Sequence, residues 1–265
     1  DPAVSFIAVR RPDKTPLAVL ANYSLHYVGD TEAAVLCADY FGFFANALAE
    51  LMAPAVNGAP FLAMMSNGTS GNINNVNFRE PGTPGAPYSR MSAVASKVAN
   101  EVHQRYQELE FHDTARLASA TREITLGVRK PNAEDLERAR AIVDAAEGPV
   151  MKKSEEVFAR ESLLLADFPD TVSVPLQALR IGDLGIAAIP CEVFVEIGLA
   201  LRASSPFKNT FTIELANGYN GYLPTAEHHA LGGYETWRAR SSYLEVAAAE
   251  KIQHVIGELL SQVKA

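Results

Sequence analysis

Leu17-Ala18-Val19-Leu20-Ala21-Asn22-Tyr23-Ser24-Leu25-His26 is a nearly unbroken apolar run that ends on a histidine. A run of this kind, bounded by turn residues, is expected of a strand buried on both faces. Upstream, Val4, Phe6 and Ala8 alternate with more polar neighbours, and Arg11-Pro12-Asp13-Lys14-Thr15-Pro16 supplies the turn that separates two strands. Downstream, Asp39 stands where a helix cap belongs, ahead of a helix through residue 52 with Phe43, Ala47 and Leu51 on one stripe. Residues 60–66 (PFLAMMS) form a further short buried strand.

Residues 67–88, NGTSGNINNVNFREPGTPGAPY, carry neither period and are dense in Gly, Asn and Pro. A structureless stretch of that length inside a compact domain is uncommon and often functional. Helices are expected over 89–110, 131–146, 152–166 and 193–203, with a last one from 243. Strands are expected over 115–126, over 171–189 around Gly182-Asp183, and over 210–216. Helices and strands thus alternate without a break in composition, which describes one α/β domain without repeats or linker.

Composition narrows the function classes. The 265 residues are 48% hydrophobic and 20% charged, the balance of a globular chain. A net charge of −8 gives no electrostatic support to binding a phosphate backbone, so nucleic acid is not an expected partner. Cys37 and Cys191 belong to no CxxC pair. The first residues, Asp1-Pro2-Ala3-Val4-Ser5-Phe6, lack the basic and apolar regions of a signal peptide, so any leader is expected to have been removed.

GxxxxGK[ST], GxGxxG and HExxH are all absent. Gly68-Thr69-Ser70-Gly71 follows a strand, as a nucleophile elbow should, but its second glycine comes one residue early. Glu227-His228-His229 has metal-binding residue types, yet neighbours on a helix point in different directions, and a polar first turn explains them.

Four places share one arrangement, a polar group at the end of a buried strand opening into a loop. His26 closes the first run; Asn72 and Asn74 follow PFLAMMS; Glu192 follows Ala187-Ala188-Ile189-Pro190-Cys191; Tyr219 and Tyr222 follow residues 211–216. Ligands of open α/β sheets collect at such strand ends. A histidine and a carboxylate there can bind Zn²⁺ and leave a position for water. Each residue also has a plainer reading: a hydrogen-bonded structural histidine, a carboxylate capping the next helix, and tyrosines that pack.

The segments Asn22-Tyr23-Ser24-Leu25-His26, Ser66-Asn67-Gly68-Thr69-Ser70-Gly71-Asn72, Ile189-Pro190-Cys191-Glu192 and Asn217-Gly218-Tyr219-Asn220-Gly221-Tyr222 resemble, in order and approximate spacing, the neutral/alkaline (non-lysosomal) ceramidase family. The resemblance implies an α/β fold of mixed β-sheets covered by helices, the layered catalytic domain of neutral ceramidase type. It implies a Zn²⁺-dependent amidase that cleaves the N-acyl bond of ceramide, in a secreted or periplasmic protein with peripheral membrane contact. Carried over, His26, Glu192 and Tyr222 match metal ligands, and Tyr234, followed by Glu235, matches a second active-site tyrosine. A cation beside Tyr222 would favour its phenolate, and both tyrosines would stabilise oxyanion charge.

Three departures shape the expectation. The family uses a second zinc histidine well upstream of His26, so residues 1–265 are expected to be the C-terminal part of one longer catalytic domain, with an upstream segment of the same precursor supplying that ligand. Asn74 stands where ceramidases have a loop serine, which loosens ceramide specificity but leaves metal-activated water intact; Asn72 and Asn74 would orient substrate. The family's C-terminal immunoglobulin-like domain has no counterpart here. The substrate is therefore expected to be a small-molecule or lipid amide, or an ester. Two alternatives stand beside this: a serine hydrolase using Ser70, and a non-catalytic binding protein of ceramidase fold.

Overall fold

The computed structural model describes residues 1–265 except Pro81, Thr83 and Pro84, so that part of the long loop expected over 67–88 lies outside the described residues. Contacts divide the chain into two compact units, Asp1–Ala115 and Arg116–Ala265. No change of composition marks that division.

The first unit is a three-stranded sheet, β1 (Val4–Arg10), β2 (Pro16–Tyr23) and β3 (Leu62–Asn67), in that order. β1 and β2 run antiparallel, while β2 and β3 are parallel, with Tyr23 opposite Asn67. The turn between β1 and β2 closes on Asp13, whose carboxylate accepts from the Thr15 N–H at 2.9 Å and the Thr15 hydroxyl at 2.6 Å. Helices α1 (Asp39–Val56) and α2 (Ser89–Tyr106) pack on each other and on the sheet around a core that includes Val19, Ala21, Phe44 and Val102.

Four expectations are corrected here. The run 17–25 is not buried on both faces: Val19 and Ala21 are enclosed, but Leu17 on β2 and Val9, Leu62 and Met64 on the flanking strands are 41%, 47%, 55% and 39% exposed. Both helices therefore serve one side of this sheet. The buried stripe of α1 is Tyr40, Phe44, Leu48, Met52 and Val56, with Phe43, Ala47 and Leu51 packed at its margin. Residues one apart on a helix differ by only about 100°, so a broad apolar face leaves the centre of the stripe ambiguous. Asp39 is not the N-cap, which is Ala38; its φ is +48°, and its carboxylate accepts from the Tyr40 N–H at 2.7 Å and reaches back to the chain after β2. Helix α2 stops at Tyr106, four residues short of the expected end.

The second unit is built on the sheet β4 (Leu117–Gly127), β5 (Thr171–Ile181), β6 (Leu184–Ile189) and β8 (Asn209–Glu214), antiparallel except for the parallel pair β6–β8. Helix α7 (Ala248–Lys264) lies across β4, β5 and β6 with Ile252, Ile256, Leu259, Leu260 and Val263 buried, and α5 (Val195–Ser204) packs on α7 and β8. Between β4 and β5 stand α3 (Ala133–Asp144), which opens on a reciprocal Asn132–Asp135 capping box, and α4 (Ser154–Ala166). Two short strands, β7 (Glu192–Val193) and β9 (Tyr222–Leu223), pair in parallel; α6 (Ala226–Leu231) and the single turn Tyr234–Thr236 follow. The last helix begins at Ala248 and not at Tyr243, because Leu244 instead bridges Val128. No helix among the described residues is long and apolar enough to cross a membrane.

Candidate active site

In the first unit the parallel register brings the ends of β2 and β3 to the same side, so His26 and the 68–75 loop leave the sheet together. The chain around His26 is pinned from both directions. The buried Tyr40 hydroxyl donates to the Leu25 carbonyl at 2.9 Å, and Asp39 accepts the N–H groups of Val28 and Gly29 at 3.0 and 2.9 Å. Asp30 then caps α2 by accepting the Arg90 N–H at 2.7 Å. Gly68 passes so close to β2 that a Cβ there would lie 2.4 Å from Ser24 Oγ. Only glycine allows that approach.

The His26 ring sits with Nδ1 3.4 Å from the Ser70 carbonyl oxygen. A carbonyl only accepts, so Nδ1 is the donor in this contact, the arrangement by which an outer hydrogen bond orients a metal-binding histidine. Ser70 itself is fully buried, and its hydroxyl accepts from the Asn67 side-chain amide at 3.1 Å. A nucleophile elbow exposes its Oγ to substrate; this serine is enclosed instead. Asn72 is half-buried in the same loop, whereas Asn74 is exposed and its side-chain oxygen accepts the Asn75 N–H at 2.7 Å.

In the second unit Glu192, Tyr222 and Tyr234 come together. Pairing of β7 with β9 sets Glu192 opposite Tyr222, and the Tyr222 and Tyr234 rings meet edge to face with centroids 5.8 Å apart. The Tyr219 hydroxyl donates to Glu192 Oε1 at 3.0 Å. Beneath them the buried carboxylate of Glu214, at the end of β8, accepts the Val193 N–H at 2.7 Å and so fixes the strand that carries Glu192. The 217–222 turn is tied down by Asn220, whose side chain donates to the Pro190 carbonyl at 3.1 Å and accepts the Tyr243 hydroxyl at 2.7 Å. Tyr219, which donates to Glu192, and Glu214, which holds the neighbouring Val193, are residues that sequence reasoning did not assign. Tyr219 lay within a segment already singled out, but no spacing rule marks Glu214.

Electrostatics in this cluster follows from one carboxylate among phenols. Burial first, then Tyr234 and Glu192, raise the Tyr222 phenol above its ordinary value. Tyr219 is pushed up to about 12, by burial first and then by the Glu192 charge and the hydrogen bond to it. Both phenols are therefore protonated when no cation is near. A divalent cation beside Glu192 would reverse that balance for Tyr222. The Glu192 carboxylate in this unit and, taken by itself, the His26 imidazole in the first are each donors of types zinc accepts. Among the described residues no group of three or more His, Cys, Asp or Glu is clustered as a metal site.

Glu227, His228 and His229 occupy α6 as its polar first turns. Thr225 caps the helix by accepting the His228 N–H at 3.3 Å, and its hydroxyl lies 2.7 Å from His228 Nδ1. His229 is held down to about 4, by burial first, then by Arg129 and His228. With the folded value below the unfolded one, the unfolded chain binds the proton first as pH falls. This contribution to stability is complete above about pH 6.5 and is lost on acidification toward pH 4. Thermal melts of His229→Gln should accordingly show a shallower fall of Tm across that window than the parent.

No family model and no curated protein matches this chain. Solved structures do. A neutral ceramidase from Pseudomonas aeruginosa superimposes with a TM-score of 0.68 at 17% identity, covering 100% of this chain and 47% of that one. A ceramidase complexed with C2 gives 0.68 at 16% identity, covering 100% and 48%. The chain has the neutral ceramidase fold, a mixed α/β architecture, and spans about half the length of the solved chains it matches.

Proposed function

We propose that the chain is part of a zinc-dependent amide hydrolase of ceramidase type, acting on an N-acyl amide, or an ester, of a small or lipid-like molecule. The observation that carries the reading is the grouping of Glu192 with Tyr222, Tyr219 and Tyr234 at strand ends, in a chain with the neutral ceramidase fold. His26, Glu192 and Tyr222 are the proposed ligands, with a further histidine from a segment preceding Asp1. When bound, zinc would supply Lewis-acid polarisation of the scissile carbonyl and a nucleophile from water at neutral pH. The Tyr234 phenol, half-exposed beside Tyr222, donates a hydrogen bond to the carbonyl oxygen as charge develops on it. Asn72 and Asn74 orient the substrate in the loop after β3. Secretion or a periplasmic location, with peripheral membrane contact, completes the proposal.

Metal analysis joined to kinetics tests it, on the chain together with its natural preceding residues. Stoichiometric zinc is expected, with amide hydrolysis abolished by a chelator and restored by added Zn²⁺. Ser70→Ala should keep most of the activity, since its hydroxyl is enclosed. Hydrolysis that survives chelation and disappears in Ser70→Ala would transfer the chemistry to the serine. A purified protein without zinc or hydrolysis would be a binding protein of this fold.

A further inference from the structure

Arg129, in the connection after β4, has its guanidinium surrounded by backbone. Nη1 donates to the Thr236 carbonyl at 2.8 Å, Nε to the Leu244 carbonyl at 2.8 Å, and Nη2 to the Ser242 carbonyl at 2.7 Å and the Ser242 hydroxyl at 2.8 Å. Its own N–H donates to the Tyr243 carbonyl at 2.7 Å. No carboxylate lies within ion-pair distance of it among the described residues. A partly buried charge without a counter-ion is costly unless its donors are engaged, and here four guanidinium hydrogen bonds all go to a single loop, residues 236–244.

That loop adjoins both tyrosines of the candidate site. Thr236 closes the turn that begins at Tyr234, and Ser241, next to Ser242, accepts the Tyr222 N–H at 2.8 Å. Resting on the amidase reading above, we propose that Arg129 is a positioning residue: by clamping residues 236–244 it holds Tyr234 against Tyr222 in the orientation the reaction needs. Burial, then Arg238, lower the guanidinium to about 10, so it remains charged at neutral pH. Arg238 provides a separate tether, pairing with Asp135 and donating to the Lys130 carbonyl. Loss of the Arg129 clamp therefore loosens the loop without detaching it.

The loop contains its own reporter. Trp237 is the sole tryptophan and directly follows Thr236, with its ring edge-on to Phe158 at 4.9 Å. The test compares Arg129→Met, Arg129→Lys and Arg129→Ala with the parent in the full protein, after far-UV circular dichroism confirms folding. Arg129→Met is expected to lower kcat by about 10–100-fold, as an ångström-scale misplacement does, while KM stays within about threefold. Arg129→Lys, which keeps charge and one donor, should fall between, and guanidinium ion at tens of millimolar should restore part of kcat in Arg129→Ala. Acrylamide quenching of Trp237 should rise in Arg129→Met whatever reaction is catalysed.

Unchanged kcat, with or without increased quenching, would overturn the positioning role. So would a loss of kcat accompanied by an equal rise in KM, which is the mark of damaged binding. Should Arg129→Met fail to fold, Arg129→Lys against the parent decides the same points. A parent protein that hydrolyses no amide would instead refute the amidase reading, and the quenching result alone would then judge the clamp.

Discussion

The Glu192→Gln variant is expected to lose bound zinc and amide hydrolysis while keeping its fold. Glutamine has the shape of glutamate and its Oε1 still accepts the Tyr219 hydroxyl, so the turn that presents the site retains its contact. What disappears is the negative charge, which both attracts a cation and opposes ionisation of Tyr219 and Tyr222. Removing groups that merely orient a metal ligand costs about 10–100-fold in affinity, so removing a ligand's charge should cost more than about 100-fold. Hydrolysis should fall by about 10²–10³, the range for loss of an electrostatic stabiliser. Elemental analysis of dialysed protein and steady-state kinetics measure the two effects. Stoichiometric zinc in the variant would remove Glu192 from the ligand set.

Gly221→Ala should be the most damaging exchange of a small side chain around that site. Gly221 has φ +72°, and a Cβ there would lie 2.3 Å from the Ser241 carbonyl oxygen and 2.5 Å from its carbon. Neither contact can be relieved by turning a side chain. Both belong to the backbone whose carbonyl receives the Tyr222 N–H. The left-handed conformation and the displaced backbone together should cost about 2–5 kcal/mol. Gly232→Ala isolates the backbone cause: its φ is +86° and its ψ −165°, but nothing lies within 4 Å of the added carbon, so about 1–3 kcal/mol is expected. Urea denaturation of both variants gives the comparison. Equal losses would mean that the Ser241 backbone yields freely.

Much of this fold could be read from the chain because its elements are bounded by local chemistry. The Asn132–Asp135 box, the glycine turn at Gly182 and the seven-residue apolar spacings of α7 each announce themselves within a few residues. Strand-end placement also marks His26, Glu192 and Tyr222 as candidates within the sequence itself. Other features have no local signature. A two-residue strand such as β7 has no period to detect, yet its pairing with β9 sets Glu192 opposite Tyr222. Asp39 resembles a helix cap by position, and only the tertiary structure shows its carboxylate turned toward Val28 and Gly29. Arg129 meets its partners 107 to 115 residues away, and those partners are carbonyls, which every residue possesses. An apolar run reports that a strand is buried, but not how many of its faces are, which is why residues 17–25 suggested a second cover.

The loop that starts at Gly68 divides sharply along its length. Gly68, Thr69, Ser70 and Gly71 are buried against the sheet, while Val76, Asn77, Phe78, Arg79 and Glu80 face solvent. The inner part cannot vary without disturbing His26 and the end of β2. The outer part touches little that the sheet depends on, and doubling the length of a flexible loop costs only about 0.6 kcal/mol. The outer part can therefore change length and sequence while the strand ends and the groups they carry stay as they are.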